Sequence, residues 1–247
     1  MNDYSKNAFL LLGHPADYEV INDGEELAKE SLEKLYIGHP KYSKEWLSEL
    51  QHKSSKFRST FPLRDKVNIL VLSRGYGSYL DKESHENLVK TTIENIHNSI
   101  SNYNLIVKKH PREFNSHWDN LISDFPSINI KNEHILRLAT EADFVISFWS
   151  SGAMDCFLLD VPVIEYFDPN KHPKQQVLEG SSYTTIYRKL KVVLSATSPD
   201  ELKDKISDLV KSDYKISSDD THPYYKALIN SSNLWEEKFE EVLTCHR

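Results

Sequence analysis

From Lys66 onward, short runs of apolar and β-branched residues alternate with longer stretches whose apolar positions recur at helical spacing. That alternation predicts βα units, and hence a parallel sheet with crossover helices. Residues 67–73 (VNILVLS) form a nearly continuous apolar run, as expected of a strand buried on both faces. After a glycine loop at 74–77, Leu88, Val89, Thr92, Ile93 and Ile96 mark one face of a helix over 85–100. Residues 104–108 (NLIVK) predict the second strand, and 114–124, carrying Trp118, Leu121 and Ile122, the next helix. A short strand at 128–130 and a helix at 133–141 lead to 144–148 (FVISF), which predicts a central strand. Ser150-Ser151-Gly152 then opens a short helix through Leu159, with serine at the capping position. Strands follow at 162–167 (PVIEYF) and 192–195. Ser198-Pro199-Asp200-Glu201 is a helix start, serine as cap and proline in the first turn, for a helix reaching about Lys211. A polar stretch at 212–221 separates it from a last amphipathic helix near 224–243, with Trp235 and Phe239 on one side.

The first sixty residues differ in texture. Two apolar runs, at 9–12 and 35–37, are each followed by Gly-His-Pro, at Gly13-His14-Pro15 and Gly38-His39-Pro40. The echo is either chance or two strand ends turning alike, since proline stops a strand and glycine supplies the turn. Residues 42–66 read as a charged connecting segment with helical content around 46–50. The expected division is a short N-terminal segment and linker over 1–60, then a Rossmann-like domain over 61–247, with a parallel sheet covered by helices on both faces. The length of 247 residues suits one large domain with an appendage, and 39% hydrophobic residues suffice for a sizeable core. Thirty Lys and Arg against 37 Asp and Glu leave a net charge of −7, so no nucleic-acid partner is expected and an anionic ligand must be caught locally. Two cysteines, Cys156 and Cys245, make no disulfide framework and no zinc pattern. No apolar run nears the ~20 residues that span a bilayer, and no signal-peptide design opens the chain, so a soluble cytoplasmic protein is expected.

Three strand ends carry candidate chemistry. In residues 144–153 (FVISFWSSGA) a buried strand passes through small hydroxyl residues into a helix. This geometry binds anions: free backbone N–H groups and the positive end of the helix dipole accept a phosphate, and Ser150 and Ser151 add hydroxyl donors ahead of Gly152. The alternative is that Ser150 or Ser151 merely caps the helix. Lys108-Lys109-His110-Pro111-Arg112 stands at the carboxyl end of a buried strand, where ligands sit in open α/β sheets. His110 can donate a hydrogen bond to a phosphate or protonate a leaving oxygen near neutrality, and Lys109 adds charge. A solvated basic turn, with Pro111 ending the strand, is the alternative. In Ser73-Arg74-Gly75-Tyr76-Gly77 the glycines admit the backbone close to a ligand and Arg74 can fork onto a phosphate, although an ordinary glycine turn has the same composition. The spacing does not complete the dinucleotide fingerprint, so a Rossmann dehydrogenase is not supported. Glu165, a lone acid near the end of an apolar strand, either pairs with ribose hydroxyls or is edge-facing or salt-bridged.

In their order these pieces resemble the C-terminal nucleotide-binding domain of GT-B-type enzymes that assemble bacterial surface polysaccharides. They look most like the group using cytidine nucleotides: sialyl- and polysialyltransferases, capsule Kdo transferases, and the CDP-glycerol glycerophosphotransferases of teichoic acid synthesis. In that group one strand ends in His-Pro, here His110-Pro111, and a later one in Ser-Ser or Ser-Thr, here Ser150-Ser151. Residues 142–164 are similar to the group's passage of aspartate, strand, serines, helix, proline and strand, and 36–42 (YIGHPKY) to its Gly-x-Pro-Lys segment. The resemblance covers about residues 36–210. It implies a glycosyltransferase, or its donor-binding half, moving a sugar such as a sialic acid or Kdo from a CMP-activated donor to a bacterial surface glycan or glycolipid. CDP-glycerol phosphotransfer or UDP-sugar transfer on the same fold are the alternatives within enzymes. His110 is then the catalytic residue, and with Ser150 and Ser151 it holds the nucleotide phosphate as CMP departs. The donor is a substrate, and neither a further cofactor nor a metal is implied. A complete GT-B enzyme has a first Rossmann domain that brings the acceptor site and a carboxylate. The chain is thus expected to be a fragment, a subunit whose protein partner supplies the other half at the inner face of the membrane, or a reduced form using Asp17, Glu19 or Asp23. From another class, a non-catalytic nucleotide-sugar-binding subunit of a polysaccharide assembly complex fits the small N-terminal portion.

Overall fold

Side chains alternate along Val67–Leu72, so Ile69 and Val71 join one apolar cluster and Leu70 and Leu72 another, all of them at most 2% exposed. A strand buried on both faces needs helices on both sides, and that is the architecture. The structure, a computed structural model, describes residues 9–12, 33–55, 66–77, 80–111, 113, 117–121, 125, 127–172, 177–179, 181–215, 230 and 232–245. Along the chain the strands are β1 (Phe9–Leu12), β2 (Glu33–Tyr36), β3 (Val67–Leu72), β4 (Tyr103–Lys108), β5 (Ile128–Ile130), β6 (Phe144–Ser147), β7 (Val163–Tyr166), β8 (Val177–Glu179), β9 (Ser182–Thr184) and β10 (Leu194–Ala196). The helices are α1 (Lys44–Ser55), α2 (Lys82–Ser99), α3 (Trp118–Leu121), α4 (Ile135–Ala139), α5 (Gly152–Phe157), α6 (Ile186–Lys189), α7 (Pro199–Lys211) and α8 (Trp235–Cys245).

The chain forms two compact units, residues 53–218 and residues 1–52 with 219–247. In the larger one, six strands pair in parallel in the order β10-β7-β6-β3-β4-β5. Counted by appearance within the sheet, this is the doubly wound order 3-2-1-4-5-6, which reverses direction between β3 and β6. Val89, Ile93 and Ile96 of α2 and Leu202, Ile206 and Leu209 of α7 cover one face. Leu138 and Ala139 of α4 with Ala153 and Cys156 of α5 cover the other. Burial pushes the Cys156 thiol far up, so it stays a neutral core residue. The predicted strands and helices of this unit recur with shifts of a few residues at their ends, except that of the helix expected over 114–124 only Trp118–Leu121 is seen, 114–116 and 122–124 lying outside the described residues, and 144–148 is central as expected. Between β7 and β10 the sequence reading left a gap, which β8, β9 and α6 fill; β8 and β9 form an antiparallel pair.

In the smaller unit β1 pairs with β2 in parallel. Pro40 opens a 3₁₀ turn, Pro40–Tyr42, ahead of α1. The amides of His39 and Lys44 donate to Ser232 Oγ at 3.1 Å and Asn233 Oδ1 at 2.9 Å. These bonds explain why the C-terminal helix groups with the N-terminal segment, whereas the sequence reading ran a single domain from 61 to the end. Gly13-His14-Pro15 lies outside the described residues, as do Asp17, Glu19, Asp23 and Arg112. No described helix is long and apolar enough to cross a membrane.

Candidate functional site

Parallel pairing delivers the carboxyl ends of β3, β4 and β6 to the same edge of the sheet, and main-chain bonds continue past the strands. The Ser73 amide donates to the Lys108 carbonyl at 3.0 Å, and the Phe148 amide to the Leu72 carbonyl at 3.0 Å. The three loops singled out in the sequence therefore leave the sheet side by side at the reversal of strand order, where open α/β sheets hold their ligands.

Arg74, half-buried after β3, lays its guanidinium 4.4 Å from the centre of the Trp149 ring after β6. Stacking occupies the face of the guanidinium; its N–H donors lie along the edge. Trp149 in turn stacks on Phe167, with ring centres 5.2 Å apart. That stack accompanies a strained backbone, because Trp149 has a φ of 55°, a left-handed conformation that a bulky residue rarely takes. The Arg74 carbonyl lies 3.0 Å from His85 Nδ1, and His85 Nε2 accepts the His117 amide at 3.1 Å. Because Nε2 accepts, Nδ1 carries the proton and the ring is neutral. Burial holds the His85 pKa below the usual imidazole range, with the charge of His117 adding to the effect against the Arg74 bond and Glu86.

Next door, Lys109 and His110 are half-buried and Pro111 is exposed. Lys109 Nζ is 2.9 Å from Asp119, so its charge is shared with an acid. The Glu113 amide donates to the His110 carbonyl at 2.8 Å, closing a turn around Pro111. The Glu113 carboxylate accepts the His110 amide at 3.1 Å and the Ser73 hydroxyl at 3.0 Å, and Ser73 Oγ accepts from Trp118 Nε1 at 2.9 Å. The sequence reading missed Glu113, though its position three residues after the histidine is that of a turn-closing residue.

Past β6, the Ser150 amide donates to Ser147 Oγ at 3.0 Å, and Ser150 Oγ accepts the Gly152 amide at 3.3 Å. Ser151 occupies the cap position of α5 but makes no side-chain cap bond, and it is exposed. The helix is shorter than expected, ending at Phe157. Gly152 is buried, and a side chain there would run into Ile135 Cδ1 and meet Leu72 Cδ1 at 3.2 Å. The glycine thus lets α5 pack close against the side-chain ends of Ile135 and Leu72. Gly75 is half-buried.

Glu165 stands apart from these loops. Its side chain is fully buried; Oε1 accepts from Thr185 Oγ1 at 2.7 Å and Arg188 Nε at 2.8 Å, and Oε2 has no hydrogen-bond partner. Burial pushes the Glu165 pKa up against the pull of Arg188. The guanidinium also donates to the carbonyls of Glu165, Phe167 and Ala196, strapping α6 across the ends of β7 and β10. Of the readings open in the sequence, the salt-bridged one describes this carboxylate, which has no surface to offer a ribose. Tyr187, beside it, was not singled out in the sequence. Burial and the charge of Glu165 push its phenol up to about 12, against the pull of Arg74, so it is a protonated donor at neutral pH.

No protein-family model matches the sequence, and no curated protein matches it. Solved structures do. A UDP-GlcNAc 2-epimerase from Neisseria meningitidis bound to UDP-GlcNAc superposes with a TM-score of 0.57 at 12% identity, over 85% of this chain and 55% of that one. A UDP-GlcNAc 2-epimerase from Methanocaldococcus jannaschii, in complex with UDP-GlcNAc and UDP, gives 0.54 at 12% identity, over 92% and 58%. The wall teichoic acid polymerase TagF soaked with CDPG gives 0.51 at 15% identity, over 97% and 58%. The chain spans under three-fifths of the length of each of these proteins. At such identities the likeness concerns the fold alone, a Rossmann-like parallel α/β sheet.

Proposed function

We propose that this chain is the nucleotide-binding part of a glycosyltransferase that takes a sugar from a CMP-activated donor, such as a sialic acid or Kdo, to a bacterial surface glycan or glycolipid. The observation that carries the reading is that the loops bearing Arg74, His110 and Ser150-Ser151 leave neighbouring parallel strands at the same end of the sheet, at the reversal of strand order. Transfer breaks the bond from the anomeric carbon to the phosphate oxygen, and CMP leaves with the electron pair as the acceptor oxygen bonds the carbon. Donors aimed at the phosphate stabilise that developing charge. His110 gives a hydrogen bond or proton to the leaving phosphate; Arg74 and the hydroxyls of Ser150 and Ser151 neutralise the rest. The acceptor's proton goes to a base supplied by the other half of the enzyme, in this chain or in a partner. Such an enzyme would work in the cytoplasm, at the inner face of the membrane through its partners.

The second reading is a UDP-sugar enzyme, favoured by the two epimerases holding UDP-GlcNAc; the polymerase soaked with CDPG keeps CDP-glycerol transfer beside it. Calorimetric titration of CMP, CDP, UMP and UDP into the purified chain, with His110→Ala alongside, separates them. Cytidine-selective binding that weakens roughly tenfold or more in His110→Ala, the loss of one charge-assisted hydrogen bond, supports the proposal. Preference for uridine nucleotides replaces it with the UDP-sugar reading. If none binds, the donor-domain readings fall and a scaffold role in an assembly complex moves ahead of them.

A further inference from the structure

A turn such as His110–Glu113 does not need a buried acid. Pro111 already presets its own φ, and the bond from the Glu113 amide to the His110 carbonyl closes the turn without any side chain. Yet Glu113 is only 8% exposed, and burying a carboxylate costs several kcal/mol unless its oxygens find donors. One oxygen accepts the amide of His110 and the other the hydroxyl of Ser73, which is 1% exposed and accepts in turn from the fully buried indole of Trp118. Both main-chain polar groups of His110 are thus held by one residue, and that residue is pinned to the first position after β3, the strand at the reversal point. A carboxylate beside a phosphate site would repel the ligand if it faced it; here both oxygens are engaged by internal donors.

We propose that Glu113 is a positioning residue that acts through His110: the Trp118–Ser73–Glu113 chain of hydrogen bonds sets where the imidazole stands relative to the nucleotide phosphate. This rests on His110 being the phosphate ligand. The test is a double-mutant cycle on the dissociation constant of CMP, with UMP in parallel, using wild type, His110→Ala, Glu113→Ala and the double variant. Glu113→Ala should weaken binding roughly tenfold, as expected when a charge-assisted bond is lost. In the His110→Ala background the same change should cost less than about twofold, because the residue it positions is already gone. Glu113→Gln, whose carbonyl can accept from His110 and whose amide can donate to Ser73, should stay within about threefold of wild type. Equal losses in both backgrounds, or no loss in Glu113→Ala, overturn this inference and leave the proposed function standing. Unchanged binding in His110→Ala overturns the parent reading and this one with it. If Glu113→Ala does not fold, Ser73→Ala takes its place in the cycle, with the same two outcomes deciding.

Discussion

Single residues show how far the meaning of a side chain depends on partners distant in sequence. Glu165 stands alone in a run of apolar residues, and its partner Arg188 lies 23 residues later in a stretch with no strong periodicity. Removing one member of a buried pair strands the other charge. Arg188→Met should therefore lower unfolding free energy by about 3–5 kcal/mol in urea titrations, and adding Glu165→Gln should recover much of the loss. Gly152 makes the same point through packing. Gly152→Ala drives a methyl group into Ile135 Cδ1, and overpacking of this kind costs about 1–3 kcal/mol. Because the clash is with the far end of one side chain, Ile135→Val should relieve it, measured as a recovered thermal midpoint in the double variant.

At the scale of elements, local signals were strongest where chain chemistry alone sets the boundary. The start of α7 is an example: Ser198 Oγ accepts the Glu201 amide at 3.3 Å, while Glu201 reaches back to the Thr197 amide at 2.6 Å. That Thr197 bond, with a second from the Thr197 hydroxyl, holds the Glu201 carboxyl below its usual range. Ser198→Ala should cost about 1 kcal/mol of stability by chemical denaturation, as cap removal does elsewhere. The β8–β9 pair carries no such signature, and α6, although the Thr185 hydroxyl caps it by accepting the Arg188 amide at 3.3 Å, is only four residues long. β8 and β9 are three residues each, too short for a period to declare itself, and α6 owes its place to the Arg188 bonds to strand ends. Glu113 escaped notice for a related reason, since its partners Ser73 and Trp118 lie on separate elements.

For the molecule as a whole, the sheet-end network has a pH signature. His85 is neutral in the fold, bonded to the Arg74 carbonyl and the His117 amide, with burial depressing its pKa. In the unfolded chain it takes up a proton near its ordinary value of about 6.5. Below that pH the unfolded state binds more protons than the folded one, so this contribution is complete above about pH 6.5 and stability falls as the solution is acidified. Urea midpoints at about pH 7.5 and about pH 5.5 should differ for wild type, and the difference should shrink in His85→Asn, which keeps a donor and an acceptor without titrating in this range.

The sequence by itself determined the parallel βα series, the stripe of α2, the cap of α7 and the loops bearing Arg74, His110 and Ser150-Ser151, because apolar periodicity and capping act between residues close along the chain. Only the tertiary structure decided the strand order, and with it the departure of those loops from neighbouring strands at one end of the sheet. It alone withdrew Glu165 into an internal ion pair, made Gly152 a packing residue, brought Glu113 beneath His110 and joined α8 to the N-terminal segment. Those outcomes rest on contacts between residues far apart in the chain, which no local pattern encodes.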